Sequence, residues 1–185
     1  MTAPAIARAW ALNRARHYDQ TIALLDRALA DDPGNPEALN ARAFAHNGRK
    51  HYHRALADLS AAIALAPGMA DAFNNRGYAL NGEGLYDQAI EALDTAIRLA
   101  PDFADAFNGR GFSYVGLRRF ARAIEDFDRA LRLDPGFASA LYNRGRAWAA
   151  LGEAGRAIAD FDAALRSQPN YPAAQAARAA VGGGA

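Results

Sequence analysis

The chain has 185 residues, a formal net charge of +1 and no cysteine, which excludes disulfide and thiolate chemistry and is too neutral for a dedicated nucleic-acid binder. About half of it is hydrophobic, much of that alanine, while valine and threonine are scarce, a composition for helices rather than sheets. The N-terminal "MTAPAIARAW" lacks a signal-like apolar run, and no stretch approaches the roughly 18 apolar residues of a membrane span, so the expectation is a cytoplasmic protein without membrane contact.

Prolines set a ruler along the chain: Pro33, Pro67, Pro101, Pro135 and Pro169 are each 34 residues apart. With proline at position thirty-two, the chain divides into units 2–35, 36–69, 70–103, 104–137 and 138–171, followed by a tail, 172–185. The third and fourth units are identical at 17 of 34 positions, so the period is a repeat and not a coincidence of composition. Each unit reads as two antiparallel helices, A and B. In the third, Ala70 to about Asn81 is helix A and Tyr86 to about Leu99 is helix B. The glycines of "GEGL" tolerate the positive φ of a tight turn between them. Proline stops helix B by disfavouring α geometry at the preceding residue. Two such helices cannot bury their apolar stripes alone, whereas stacked pairs can. The tail predicts a short helix near Ala173–Val181 and a flexible "GGGA" end.

The same side-chain types return at fixed positions. In chain order they are Ala5, Ala9, Leu12, Thr21, Leu25 and Ala28; Leu39, Ala43, His46, Ala55, Leu59 and Ala62; Phe73, Gly77, Leu80, Ala89, Leu93 and Ala96; Phe107, Gly111, Tyr114, Ala123, Phe127 and Ala130; and Leu141, Gly145, Trp148, Ala157, Phe161 and Ala164. Each set closes on its proline. This pattern resembles the tetratricopeptide repeat (TPR) over nearly the whole chain. The resemblance implies an all-α, right-handed solenoid of five helix-turn-helix units plus a short C-terminal helix. It also implies a non-catalytic scaffold or adaptor that binds a peptide or protein segment. Small residues at positions eight and twenty are expected where the two helices cross.

Position seven is arginine in all five units: Arg8, Arg42, Arg76, Arg110 and Arg144. Position twenty-three carries Asp58, Asp126 and Asp160. The expectation is a bidentate ion pair inside each of those units; the alternative is an arginine ladder open to a ligand. The third unit has Ala92 instead, leaving Arg76 to seek Asp58 or Glu91. Asp26, Asp94, Asp128 and Asp162, at position twenty-five, read as outward, solvated charges.

In the TPR superhelix the A helices line a concave groove, and the resemblance turns positions two, five, nine, twelve and thirteen into it, with six alongside. The candidate peptide-binding residues are therefore Glu37, Asp71 and Asp105 at two; Asn40, Asn74, Asn108 and Tyr142 at five; and Phe44, Tyr78, Phe112 and Arg146 at nine. Trp10, Asn13, Asn47, Asn81, Asn75 and Asn143 belong to the same lining, and Gly48, Gly82 and Gly116 stand at thirteen. Asparagine is a poor helix-interior residue, and its amide suits the backbone of an extended peptide. The other reading is common helix-A decoration, with the aromatics packing between neighbours. The acids predict a basic or neutral ligand. A carboxylate clamp is disfavoured, because Asn75 alone matches it and the basic groups are missing.

No enzyme, cofactor or metal is expected. "HYH" places His51 and His53 two apart, which do not share a helix face, and no nucleophile–base pattern is present. The rival readings are self-assembly through the solenoid ends, where the C-terminal segment promises poor cover, and an RNA-binding helical repeat.

Overall fold

A computed structural model describes residues 3–183, and among them eleven α-helices and no strand. In chain order these are α1 (Ala3–Arg14), α2 (Tyr18–Asp31), α3 (Pro36–Gly48), α4 (Tyr52–Leu65), α5 (Ala70–Gly82), α6 (Tyr86–Leu99), α7 (Ala104–Gly116), α8 (Phe120–Leu133), α9 (Ala138–Ala150), α10 (Ala154–Ser167) and α11 (Pro172–Gly182). The chain divides into two compact units, Met1–Ala100 and Pro101–Ala185. In the first, each helix of α1–α6 packs on its chain neighbours, and α3 also touches α1 and α5. In the second, α7–α11 pack in the same order, with α9 touching both α7 and α11. Within each unit the odd-numbered A helices thus stack on one another, and the B helices bridge them. This is the contact pattern of an all-α TPR solenoid.

The turns between A and B helices share one device. Arg16, Lys50 and Arg118 have φ of 61°, 60° and 58°, and Gly84 and Gly152 have φ of 76° and 81°. All five stand at position fifteen, where the chain leaves the A helix through the left-handed region. Glycine enters that region freely; an L side chain resists it by about 1–2 kcal/mol. Asn35 starts α3 by accepting the Ala38 amide at 3.0 Å, with Pro36 in the first turn, where its missing N–H costs nothing.

The core is a run of alanines faced by one large residue per pair. Ala9, Ala43, Ala55, Ala89, Ala123 and Ala157 are fully buried, as are Leu25, Leu59, Leu93 and Phe127. The expectation set the glycines at position eight against the alanines at twenty. The structure sets them chiefly against position twenty-four. A Cβ on Gly111 would lie 2.6 Å from Phe127 Cε1, and one on Gly145 would lie 2.7 Å from Phe161 Cε1 and 3.2 Å from the Ala157 carbonyl. Two of the glycines at thirteen, Gly48 and Gly82, likewise receive an aromatic. A Cβ on Gly48 would fall on the ring of Tyr18, and one on Gly82 on the ring of Tyr52. They pack the B helix of the preceding repeat.

The C-terminal end is better covered than the sequence implies. Helix α11 packs on α10, and Ala174 is buried with Leu141 and Ala164 in one cluster. Among the described residues, the large apolar side chains that stand exposed are Phe44, Leu65, Tyr78, Leu85 and Leu151, and none of these lies on α1, α10 or α11. Cover comes from register: α11 begins where a sixth A helix would, and its short alanine face suffices against α10.

His46 is buried at position eleven, and its Nδ1 has no hydrogen-bond partner among the described residues. Burial lowers its pKa; Asp58 opposes that, and Arg42, His51 and Arg54 reinforce it. In the unfolded chain His46 takes up a proton near its ordinary value of about 6.5. The folded chain takes it up only at lower pH. Below about pH 6.5 the unfolded state therefore binds more protons, and stability falls as pH falls. Thermal unfolding between pH 7.5 and 5.5 should show a larger loss for the wild type than for His46→Leu, which carries the residue found at Leu12 and Leu80. Equal losses would remove His46 as the cause.

Candidate functional site

Three of the five arginines at position seven, Arg42, Arg110 and Arg144, are structural clasps. Arg42 donates from Nε and Nη2 to Asp58 at 2.8 and 2.6 Å, and from Nη1 to Asp26 at 2.8 Å. Arg110 holds Asp126 with the same fork at 2.8 and 2.6 Å. Arg144 holds Asp160 at 2.8 and 2.6 Å and also reaches Asp128 at 2.6 Å. The expected pairs are therefore present, and these three arginines do not form an open ladder. Of the acids at position twenty-five, Asp26 and Asp94 are exposed, as expected, but Asp26 and Asp128 also bind the arginine of the following A helix, and Asp162 pairs with Arg178 on α11. Arg178 stands at position seven of the incomplete sixth repeat, a recurrence visible in the sequence.

The asparagines also turn inward. Asn13 Nδ2 donates to the Ala41 carbonyl at 2.9 Å, and Asn47 Nδ2 to the Asn75 carbonyl at 2.9 Å. Asn75 Nδ2 donates to Asn40 Oδ1 at 2.8 Å, and Asn143 Nδ2 to Asn108 Oδ1 at 3.0 Å. Asn13, Asn40, Asn47 and Asn75 are buried. The amides do serve backbone and amide groups as expected, but those of the neighbouring A helix. Asn40 is thus corrected from an open ligand contact to a helix staple. Asn74 and Asn108 are half-buried.

The remaining candidates divide between the two units. In the first, α1, α3 and α5 enclose an open hollow of about 600 Å³ lined by Ile6, Ala7, Trp10, Glu37, Asn40, Met69 and Asp71. Glu37 and Asp71 are exposed, one acid on each of two successive A helices. Trp10 packs edge-on against Phe44, with ring centroids 5.6 Å apart, so the indole is held in place. Phe44 and Tyr78 are exposed at position nine. Ile6 and Met69 were absent from the sequence-based set, although Ile6 shares position five with Asn40. In the second unit, Asp105 and Arg146 are exposed, and Phe112 and Tyr142 are partly buried. The Tyr142 ring packs 5.1 Å from that of Tyr171, and the Arg146 guanidinium lies over it, 5.7 Å from the centroid.

Stacked helix pairs, small crossing residues and an A-helix face carrying the exposed aromatics define a helical-repeat interaction module. The chain belongs to the tetratricopeptide repeat family: models of that description match residues 70–103 and 109–172, together just over half of the sequence. No curated protein matches it significantly. Among solved structures it is similar to TTC0263, a TPR protein of Thermus thermophilus, at 22% identity and a TM-score of 0.83, covering 96% of this chain and 97% of that one. It is also similar to YrrB, a TPR protein with an unusual peptide-binding site, at 23% identity and a TM-score of 0.67, covering 96% and 92%. MamA matches at 25% identity and a TM-score of 0.70, covering 87% of this chain and 94% of MamA. Among the described residues no helix is long and apolar enough to cross a membrane.

Proposed function

We propose that this TPR protein is a non-catalytic scaffold or adaptor that holds a peptide segment along its A helices, and that the hollow between α1, α3 and α5 receives a cationic side chain. The observation that carries this reading is the pairing of two exposed carboxylates, Glu37 and Asp71, with the indole of Trp10 around one hollow whose lining, among the described residues, has no basic side chain. A lysine or arginine lays its aliphatic stem on apolar surface while its charge seeks acids, and an aromatic face adds a cation–π attraction. Met69 and Ile6 supply the apolar contact. Asn40 holds the wall, through its bond to Asn75, rather than the ligand. End-to-end self-assembly is the weaker reading, because the exposed large apolar residues do not gather on α1, α10 or α11.

Fluorescence anisotropy with a labelled lysine-rich nonapeptide, and with its glutamate counterpart, tests the proposal. The lysine peptide should bind saturably and the glutamate peptide should not. Glu37→Gln combined with Asp71→Asn should weaken binding about tenfold, the size of a roughly 1.4 kcal/mol loss, and added salt should do the same. Unchanged affinity in the double variant, or equal binding of the two peptides, would place the ligand elsewhere.

A further inference from the structure

The third repeat breaks the arginine clasp in both of its acidic arms. Around Arg42 and around Arg144, one aspartate comes from sixteen residues later in the chain and another from sixteen residues earlier. Around Arg76 those two places are Ala92 and Ser60. Ala92 is as buried as the aspartates it replaces, 7% exposed against 8% for Asp58 and 7% for Asp160. Ser60 turns its hydroxyl back to the Leu56 carbonyl at 2.8 Å. The expected substitutes do not serve either: Asp58 is taken by Arg42, and Arg76 makes no hydrogen bond or ion pair among the described residues. A half-buried guanidinium is left without an acid, an arrangement that lowers its free energy when one arrives.

Space is present for that acid. Arg76 opens into a hollow of about 220 Å³ between α5 and α6, lined also by Phe73, Gln88, Glu91, Ala92 and Thr95. On α5, positions four and seven lie on the opposite side of the helix from positions two, five and nine, given 100° per residue. The hollow is therefore separate from the A-helix face that carries Asp71 and Tyr78. Its rim is made by α6, where Gln88 and Glu91 are exposed.

We propose that this hollow is a second docking point, for an aspartate or glutamate side chain of a partner polypeptide, which completes at Arg76 the fork that Asp58 and Asp160 make internally in their own repeats. The guanidinium offers the same parallel N–H pair that those repeats use. Gln88 adds an amide donor at the mouth, and Phe73 an apolar wall for the methylenes. Glu91 selects by charge: its carboxylate repels a dianionic phosphate more strongly than a singly charged carboxylate.

The test is the side-chain Nε–Hε resonance of Arg76 in the ¹⁵N-labelled full chain. The titrants are the peptide Ac-Gly-Ala-Asp-Ala-Gly-NH2, its Asn counterpart and inorganic phosphate. The Asp peptide should shift Arg76 at least fivefold more than the Asn peptide does, leaving Arg42 and Arg144 in place. Ala92→Asp should abolish the response by supplying the acid internally. Ser60→Asp, at an exposed site on α4, provides the same check should Ala92→Asp fail to fold. No response of Arg76 means that Glu91 or solvent satisfies it, and the proposal fails. It fails equally if the response persists in a folded variant carrying either aspartate. Saturation by phosphate but not by the Asp peptide would replace the carboxylate site with a phosphate site.

Discussion

Arg144→Ala is expected to destabilise the second unit by about 3 kcal/mol, the lower end of the range for breaking a buried ion pair. The cost arises from what remains. Asp160 is 7% exposed, and its two oxygens accept from Nε and Nη2 of Arg144. Without the guanidinium, a buried carboxylate keeps its charge and loses its donors. Arg144 itself is 24% exposed and Asp128 is 41% exposed, so water moderates the loss and the third contact adds little. Hydrogen bonding to Asp160 raises the Arg144 pKa further, against the effect of burial, so the guanidinium stays charged throughout the accessible pH range. Arg144→Lys should recover only part of the loss, because an ammonium cannot make the fork. Asp160→Asn should soften Arg144→Ala in a double-mutant cycle, with a coupling of about 1 kcal/mol or more. Repeat arrays unfold in parts, so amide exchange in α9 and α10 should accompany the denaturation curve. A loss below about 0.5 kcal/mol, typical of a surface change, would mean that the clasp is not holding α9 to α10.

The fold was legible because its determinants lie within one repeat. The proline ruler, the small residues at eight and twenty, and the large ones at four and twenty-four fix a helix pair whose partner positions are a few turns apart. The Arg42–Asp58 and Arg144–Asp160 pairs were legible for the same reason. What escaped depends on the neighbouring repeat. Asp128 looks solvated on the wheel of α8 alone, and only the stacking of α9 on α8 brings Arg144 to it. Asn47 looks like groove lining on α3 alone, and its bond to the Asn75 carbonyl requires the offset between α3 and α5. The same offset explains the drift of asparagine between positions five and six. Asn40 pairs with Asn75 and Asn108 with Asn143, in each case position five of one repeat with position six of the next. Periodicity reports that a residue matters in every repeat; it does not distinguish a ligand from the next helix.

Gly111→Ala and Phe127→Ala should each destabilise, and a combination that exchanges volume should not. Phe127 is fully buried, and truncating it to alanine should cost about 3–5 kcal/mol through lost burial and the cavity left behind. Gly111→Ala puts a Cβ 2.6 Å from Phe127 Cε1, closer than packed carbons approach, so the ring must move against a dense core. Overpacking of this kind costs about 1–3 kcal/mol. The chain already contains the compensated arrangement. Its first two repeats set Ala9 with Leu25 and Ala43 with Leu59, all fully buried, while the last two set glycine with phenylalanine. Gly111→Ala with Phe127→Leu should therefore return to within about 1 kcal/mol of the wild type, the range of a volume-conserving exchange, whereas Phe127→Leu alone would give the glycine–leucine pairing of the third repeat, where Leu93 closes onto Gly77. Denaturant midpoints of Gly111→Ala, Phe127→Leu and the double variant decide this. Additive losses would mean that Gly111 is required by the helix crossing itself, through its backbone approach to α8, and not by the ring that lies on it.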